Sequence, residues 1–231
     1  MRSVVRWLVR LCLAAVLLFV ALQLYFLLSI AWMRDHDPHS TSFMRAAEEQ
    51  LHEKAPKAQL QQHWVPYSAI SDNLKRAVIT SEDAKFAEHE GVDWEAVEKA
   101  YENNKKKGRR IKGGSTITQQ LAKNLFLSGE RTYLRKVQEL IITYMLEFCL
   151  GKERILEIYL NVVEWGNGVF GAEAAARHYY GIAAAQLSTE EAARLAVMLP
   201  NPRYFDRNRS SPYLAARATT VQRWMADADL P

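Results

Sequence analysis

Apolar and polar positions divide the chain unevenly. Residues 11–33 carry no charge, and Gln23 and Ser29 are their main polar interruptions. At 1.5 Å of rise per residue, a helix of that length crosses a bilayer core of about 30 Å. Arg2, Arg6 and Arg10 precede it, and Trp7 and Trp32 fall near its ends, where interfacial aromatics belong. The bulky run Ala31-Trp32-Met33-Arg34 offers no small-residue cleavage site. The pattern predicts a cytoplasmic N-terminus over 1–10, a transmembrane helix over 11–33 and an outward location for all that follows. Residues 34–62, with Pro38 and Pro56, read as a stem holding a short helical stretch over 43–54. The globular domain is expected over 63–231.

Within that domain the apolar spacing is helical almost throughout. Leu74, Val78 and Ile79 mark a helix over 71–81. Asp93 can cap a helix through about 106, with Gly108 as its stop. Further helices are expected from Ser115, over 132–150 up to Gly151, over 152–163, and over 173–180 up to Gly181. Ser188-Thr189-Glu190-Glu191 is a capping box that opens a helix to Leu199, and Ser211-Pro212 opens the last one. The fold class is mainly α, with room for one small hairpin at an undetermined place.

Charge adds a second contrast. The formal net charge is +4. Between residues 101 and 136, ten Lys or Arg stand against two Glu, a local excess of eight, so the remainder sums to −4. Such a segment suits an anionic partner or is a solvated basic loop. The two cysteines, Cys12 and Cys149, give no disulfide framework, and no Cys/His spacing resembles a zinc site.

Three polar clusters carry candidate chemistry. Glu82 follows apolar Ala77, Val78 and Ile79 and precedes Phe86, a setting that suits a partly desolvated general base or an exposed helix end beside Asp83. Gly113-Gly114-Ser115 offers close backbone approach before a helix N-terminus. On that helix Gln119 and Lys123 share one face, and Gln120 and Asn124 another. The polar side chains could bind a sugar and Lys123 a diphosphate, or they form a solvent-facing stripe. Arg131, Arg135, Lys136 and Glu139 form the third cluster; Arg135 and Glu139 also fit an ordinary i,i+4 pair. Glu157 and Asn161, on one face of an otherwise apolar helix, read as braces behind the site.

Together these segments resemble glycosyltransferase family 51, the peptidoglycan glycosyltransferases. Glu82, Asp83, Phe86, His89 and Gly91 match its Glu-Asp-x-x-Phe-x-x-His-x-Gly pattern. Gly113, Ser115, Thr116, Gln119, Gln120, Lys123 and Asn124 match a second pattern, and Arg135, Lys136 and Glu139 a third. Lys152, Ile155, Leu156, Glu157, Tyr159, Leu160 and Asn161 match a fourth, and residues 171–202 also resemble the family. About thirty residues follow the last match, too few for an acyl-transfer domain, so the likeness is to the monofunctional form.

The resemblance implies a lysozyme-like helical domain with a small membrane-facing lobe, in a bacterial inner membrane with its catalytic domain periplasmic. It implies lipid II as acceptor and a lipid-linked nascent glycan as donor, joined β-1,4 with inversion and release of undecaprenyl diphosphate. Glu82 is then the base. Glu139 orients the cations or holds a metal, and Lys123, Arg131, Arg135 and Lys136 bind the diphosphate. Asp83, Phe86, His89, Ser115, Thr116, Gln119, Gln120 and Asn124 complete the substrate-binding set. No tightly bound cofactor is implied, although Mg²⁺ or Mn²⁺ could bridge the diphosphate. Membrane lipids and other cell-wall synthesis proteins are the expected partners; nucleic acid is not, because the basic segment lies outside the cell. The rival readings are a lytic glycan-cleaving enzyme with Glu82 as acid, and a non-catalytic membrane-anchored scaffold.

Overall fold

A computed structural model describes residues 2–107 and 114–231. The expected helix stop at Gly108, most of the basic segment 105–112 and Gly113 lie outside the described residues.

The chain opens with α1 (Arg2–Trp32), an unbroken helix whose apolar span covers Ser3–Trp32. Its inner two-thirds is exposed apolar surface, whereas Phe26, Ile30 and Met33 are buried against the rest of the chain. The segment expected to be a stem is part of the folded domain. Thr41 caps α2 (Ser42–Lys54) by accepting from the Met44 N–H, and Met44 and Ala47 enter the core. Gln61–Gln62 then forms strand β1. The correction has a simple cause: α2 is polar on three sides, and only its apolar positions at helical spacing reveal a packed face.

Helices α3 (Asp72–Glu82), α4 (Trp94–Lys107), α5 (Ile117–Phe126), α6 (Tyr133–Cys149) and α7 (Lys152–Val162) follow. Their ends sit where local chemistry puts them. Ser71 caps α3, and Asp93 accepts from the Ala96 N–H at the start of α4. Thr116 and Gln119 form a reciprocal capping box on α5, and Thr132 caps α6. Helix α7 opens with charged Lys152, Glu153 and Arg154 and is buried almost throughout from Ile155 on, as a central helix must be. Ile155, Leu156, Ile158, Tyr159, Leu160, Asn161 and Val162 are all buried, and the helix packs on α5, α6 and α8.

The small hairpin is β2 (Glu164–Gly166) with β3 (Val169–Phe170), turning through Asn167 and Gly168. Strand β1 joins β3 in parallel, giving the order β1-β3-β2. Gly171 leads into α8 (Ala172–Tyr180) with φ of 84°, and a Cβ there would lie 2.7 Å from the Asn161 carbonyl oxygen. Helices α9 (Thr189–Met198), α10 (Pro202–Arg207) and α11 (Pro212–Trp224) close the domain; α9 packs between α3 and α11. The architecture is mainly α, as expected.

Candidate active site

The site is built where α3 ends and α5 begins. Glu82 is the last residue of α3, and Asp83 leaves the helix with φ of −161°. The buried Asp83 carboxylate pairs through Oδ1 with His89 Nε2 at 2.8 Å, and through Oδ2 accepts the Ile117 N–H at 3.0 Å. Asp83 therefore satisfies an unpaired donor of the first turn of α5 and fixes that helix against the end of α3. Its neighbour Glu82 is left half-buried, facing α5.

Glu82 Oε2 accepts a hydrogen bond from Gln120 Nε2 at 2.8 Å. Gln120 Oε1 in turn accepts from the Tyr159 hydroxyl at 3.0 Å. The amide is oriented by a phenol that is 0% exposed, so its donor end must face the carboxylate. Burial pushes the Glu82 carboxyl above its ordinary pKa, against the hydrogen bonds from Gln120 and Ser81 and the positive charge of Arg217. The result is a carboxylate with raised proton affinity that ligand can still reach.

One turn further along α5, Lys123 is half-buried with its ammonium 5.2 Å from the Phe43 ring centroid. It makes no ion pair among the described residues. Burial lowers its pKa, with Glu139 and Glu82 raising it and Arg135 and Lys136 lowering it. Lys123 thus stands in the field of both glutamates. Asn124 is buried beside it on the face of Gln120, and its amide makes no hydrogen bond among the described residues.

Glu139 is 3% exposed, and both carboxylate oxygens are taken. Oε2 meets Arg135 Nη1 at 2.5 Å, and Oε1 accepts from Lys136 Nζ. It holds two cations from within α6 rather than facing open space. This also bears on a metal. Among the described residues no three His, Cys, Asp or Glu side chains converge, and a divalent ion at Glu139 would have to displace a cation.

Several expected contacts sit elsewhere. Phe86 is 0% exposed, in the core under the Lys152 ammonium, so its ring is no substrate surface. His89 gives its Nε2 to Asp83, and its Nδ1 is buried. Thr116 accepts from the Gln119 N–H and donates to the Gly91 carbonyl at 2.6 Å, while the Gln119 side chain returns to the Thr116 N–H. Both are caps, so the Gln119 amide oxygen is spent on the Thr116 N–H although its position shares a face with Lys123. Ser115 is exposed just ahead of them. Arg131 precedes the Thr132 cap, so it lies off α6, exposed and apart from the Glu139 cluster.

Glu157 and Asn161 do brace the structure, but at the chain's entry to the domain. Glu157 Oε1 accepts from the Tyr67 N–H at 3.0 Å and Oε2 from Arg154. Asn161 exchanges hydrogen bonds with both backbone groups of Val65. The residue of α7 that reaches the site is Tyr159, which sequence reasoning assigned no role. Its place two residues from both Glu157 and Asn161 puts it on the opposite side of α7, and that was the available signal.

This geometry supports proton abstraction by one carboxylate beside a polar helix, with cations gathered one to two turns away. The model of the transglycosylase family matches residues 48–226. Curated relatives match over the whole length. A biosynthetic peptidoglycan transglycosylase of Janthinobacterium sp. (strain Marseille) is 63% identical over 231 residues, covering 100% of this chain and 99% of its own. That of Herminiimonas arsenicoxydans is 61% identical with the same coverage, and that of Azoarcus sp. (strain BH72) is 55% identical across 100% of both chains.

Proposed function

Because the chain belongs to the transglycosylase family and is a peptidoglycan glycosyltransferase, we propose that it polymerises lipid II at the outer face of a bacterial inner membrane, with Glu82 as the general base. Glu82 removes the proton from the 4-hydroxyl of the acceptor's terminal N-acetylglucosamine. That oxygen forms a bond to C1 of the donor's N-acetylmuramic acid, and the bond from C1 to the diphosphate breaks. The α-linked undecaprenyl diphosphate leaves with its electron pair, and attack from the opposite side yields a β-1,4 link. A diphosphate needs its charge neutralised more than it needs a proton. Lys123, Arg135 and Lys136 supply that charge, and Glu139 holds the last two in place.

One observation carries this reading: the two glutamates are not a matched acid and base. Glu82 has raised proton affinity and one amide partner, while Glu139 is saturated by cations. A glycosidase would instead present two carboxyl groups to one bond. The apolar span of α1 acts as the anchor, with the arginines before it on the cytoplasmic side. Exposed Tyr133, Leu134 and Phe148 on α6 support a position of that helix against the bilayer, where both lipid-linked substrates would reside.

The test is labelled lipid II incubated with the detergent-solubilised full chain, with and without penicillin. Penicillin-insensitive polymer is expected, and Glu82→Gln should lose about 10²–10⁴ in rate while still binding lipid II. Near-normal polymerisation by Glu82→Gln would refute the assignment; fragments released from sacculi would point to cleavage instead.

A further inference from the structure

Gln23 interrupts an otherwise apolar span and is not idle there. Its side chain and that of Gln138 exchange two hydrogen bonds, Nε2 to Oε1 in each direction, at 3.1 and 2.9 Å. Gln138 directly precedes Glu139 in α6. Three residues further along α1, the Phe26 ring meets Phe126 edge-on at 5.2 Å, and Phe126 ends α5 one turn beyond Lys123. At the outer end, Arg154 donates to the carbonyls of Met33 and His36 and pairs with Asp37. Arg34 and the end of α6, from Phe148 to Leu150, line one cavity. Residue 23 of α1 and residue 34 just past its end thus lie beside residue 138 of α6 and residues 148–150 at its end. The two helices run parallel, side by side, with matched spacing.

An apolar contact would hold these helices together but leave sliding and rotation weakly defined. A paired amide in apolar surroundings is directional, and its best-attested use is to fix register. We propose that Gln23 is a positioning residue for the transfer reaction: through Gln138 it holds α6, and so Arg135, Lys136 and Glu139, in one register against the membrane helix. The anchor is then part of the scaffold of the cationic site. The proposal rests on the reading of Arg135 and Lys136 as the diphosphate-binding cations.

The experiment measures KM and kcat for lipid II with the full chain in vesicles. Gln23→Leu and Gln138→Leu should each raise KM about fivefold, with kcat and the thermal midpoint little changed. The double variant should be no worse than either single one, because both remove the same clasp. Unchanged KM, or effects that multiply in the double variant, overturns the proposal. Lys136→Ala separates the two claims. If its KM is also unchanged, the diphosphate reading fails and the proposal with it; if its KM rises while that of Gln23→Leu does not, the clasp alone fails. Should the leucine variants misfold, Gln23→Cys with Gln138→Cys, in a chain with Cys12 and Cys149 replaced by alanine, gives a reversible version. Oxidation should link the helices and restore the low KM, and reduction should raise it. No disulfide, or a KM indifferent to reduction, overturns the proposal.

Discussion

Replacing Gln120 by methionine keeps its length and removes the donor that faces Glu82. In the folded chain this hydrogen bond opposes the effect of burial on the Glu82 carboxyl. Hydrogen bonds to charged groups contribute about 1.5–3 kcal/mol, and about 1.4 kcal/mol corresponds to one pKa unit. Glu82 is half-buried, so water takes over part of the lost bond and the lower end of that range applies. Gln120→Met should therefore cost the ionised form about 1.5 kcal/mol and push the Glu82 pKa up further. The base works only when ionised, so activity falls as pH drops through this pKa. The acid limb of kcat/KM should shift to higher pH with it. At the alkaline plateau, where Glu82 is ionised in both proteins, the deficit should shrink. Initial rates of lipid II polymerisation between about pH 5 and about pH 9 would show it, since kcat/KM reports the free enzyme. Tyr159→Phe removes only the group that orients the amide and should shift the limb in the same direction by less. An unmoved acid limb, or one moved to lower pH, would refute the claim that Gln120 stabilises the ionised base.

The same carboxylate predicts a stability effect. Its proton affinity is raised in the folded state, so ionised Glu82 costs stability. That cost is absent below the unfolded pKa and complete above the folded one. Glu82→Gln should unfold at an equal or higher temperature than the parent at neutral pH, with the difference vanishing in acid; a lower midpoint at neutral pH would contradict this. Glu139→Gln should behave oppositely, since it breaks a buried pairing with two cations, at a cost of about 3 kcal/mol in thermal or urea unfolding. Gly171→Ala should destabilise by about 1–3 kcal/mol in the same assays, because it adds a Cβ at positive φ against the Asn161 carbonyl.

Helices were legible in the sequence because apolar residues at a 3.6-residue period mark a buried face wherever that face is wide. Strands of two or three residues have no period to read, and Gly166-Asn167-Gly168 is the turn signal that could have located the hairpin. Roles within the polar clusters were harder, because a polar side chain at a helix start serves a ligand and a cap equally well. Thr116-Ile117-Thr118-Gln119 has the Thr-x-x-Gln form of a capping box, a signal that could have kept Thr116 and Gln119 out of the expected substrate-binding set. Nothing comparable marked Asp83 and His89, whose partners lie across a turn and on another helix. The pairing of Gln23 with Gln138 spans 115 positions and was beyond any local pattern.

Helix α5 explains why these separate features behave as one site. Its first N–H is held by Asp83, next to the base. Its second turn presents Gln120 to Glu82 and then Lys123 to the field of Glu139. Its last residue, Phe126, packs on the membrane helix. On the proposed mechanism, these ten residues connect the end that would take a proton to the end that would neutralise the leaving group, and both to α1. A helix turn advances about 5 Å, so one rigid element sets the base and the cation at the spacing of adjoining turns. Displacing α5 would alter proton abstraction and charge neutralisation together. The two steps must be timed to each other, because the attacking oxygen gains charge as the diphosphate departs. Placing both on one capped helix makes that timing a property of geometry rather than of loop motion.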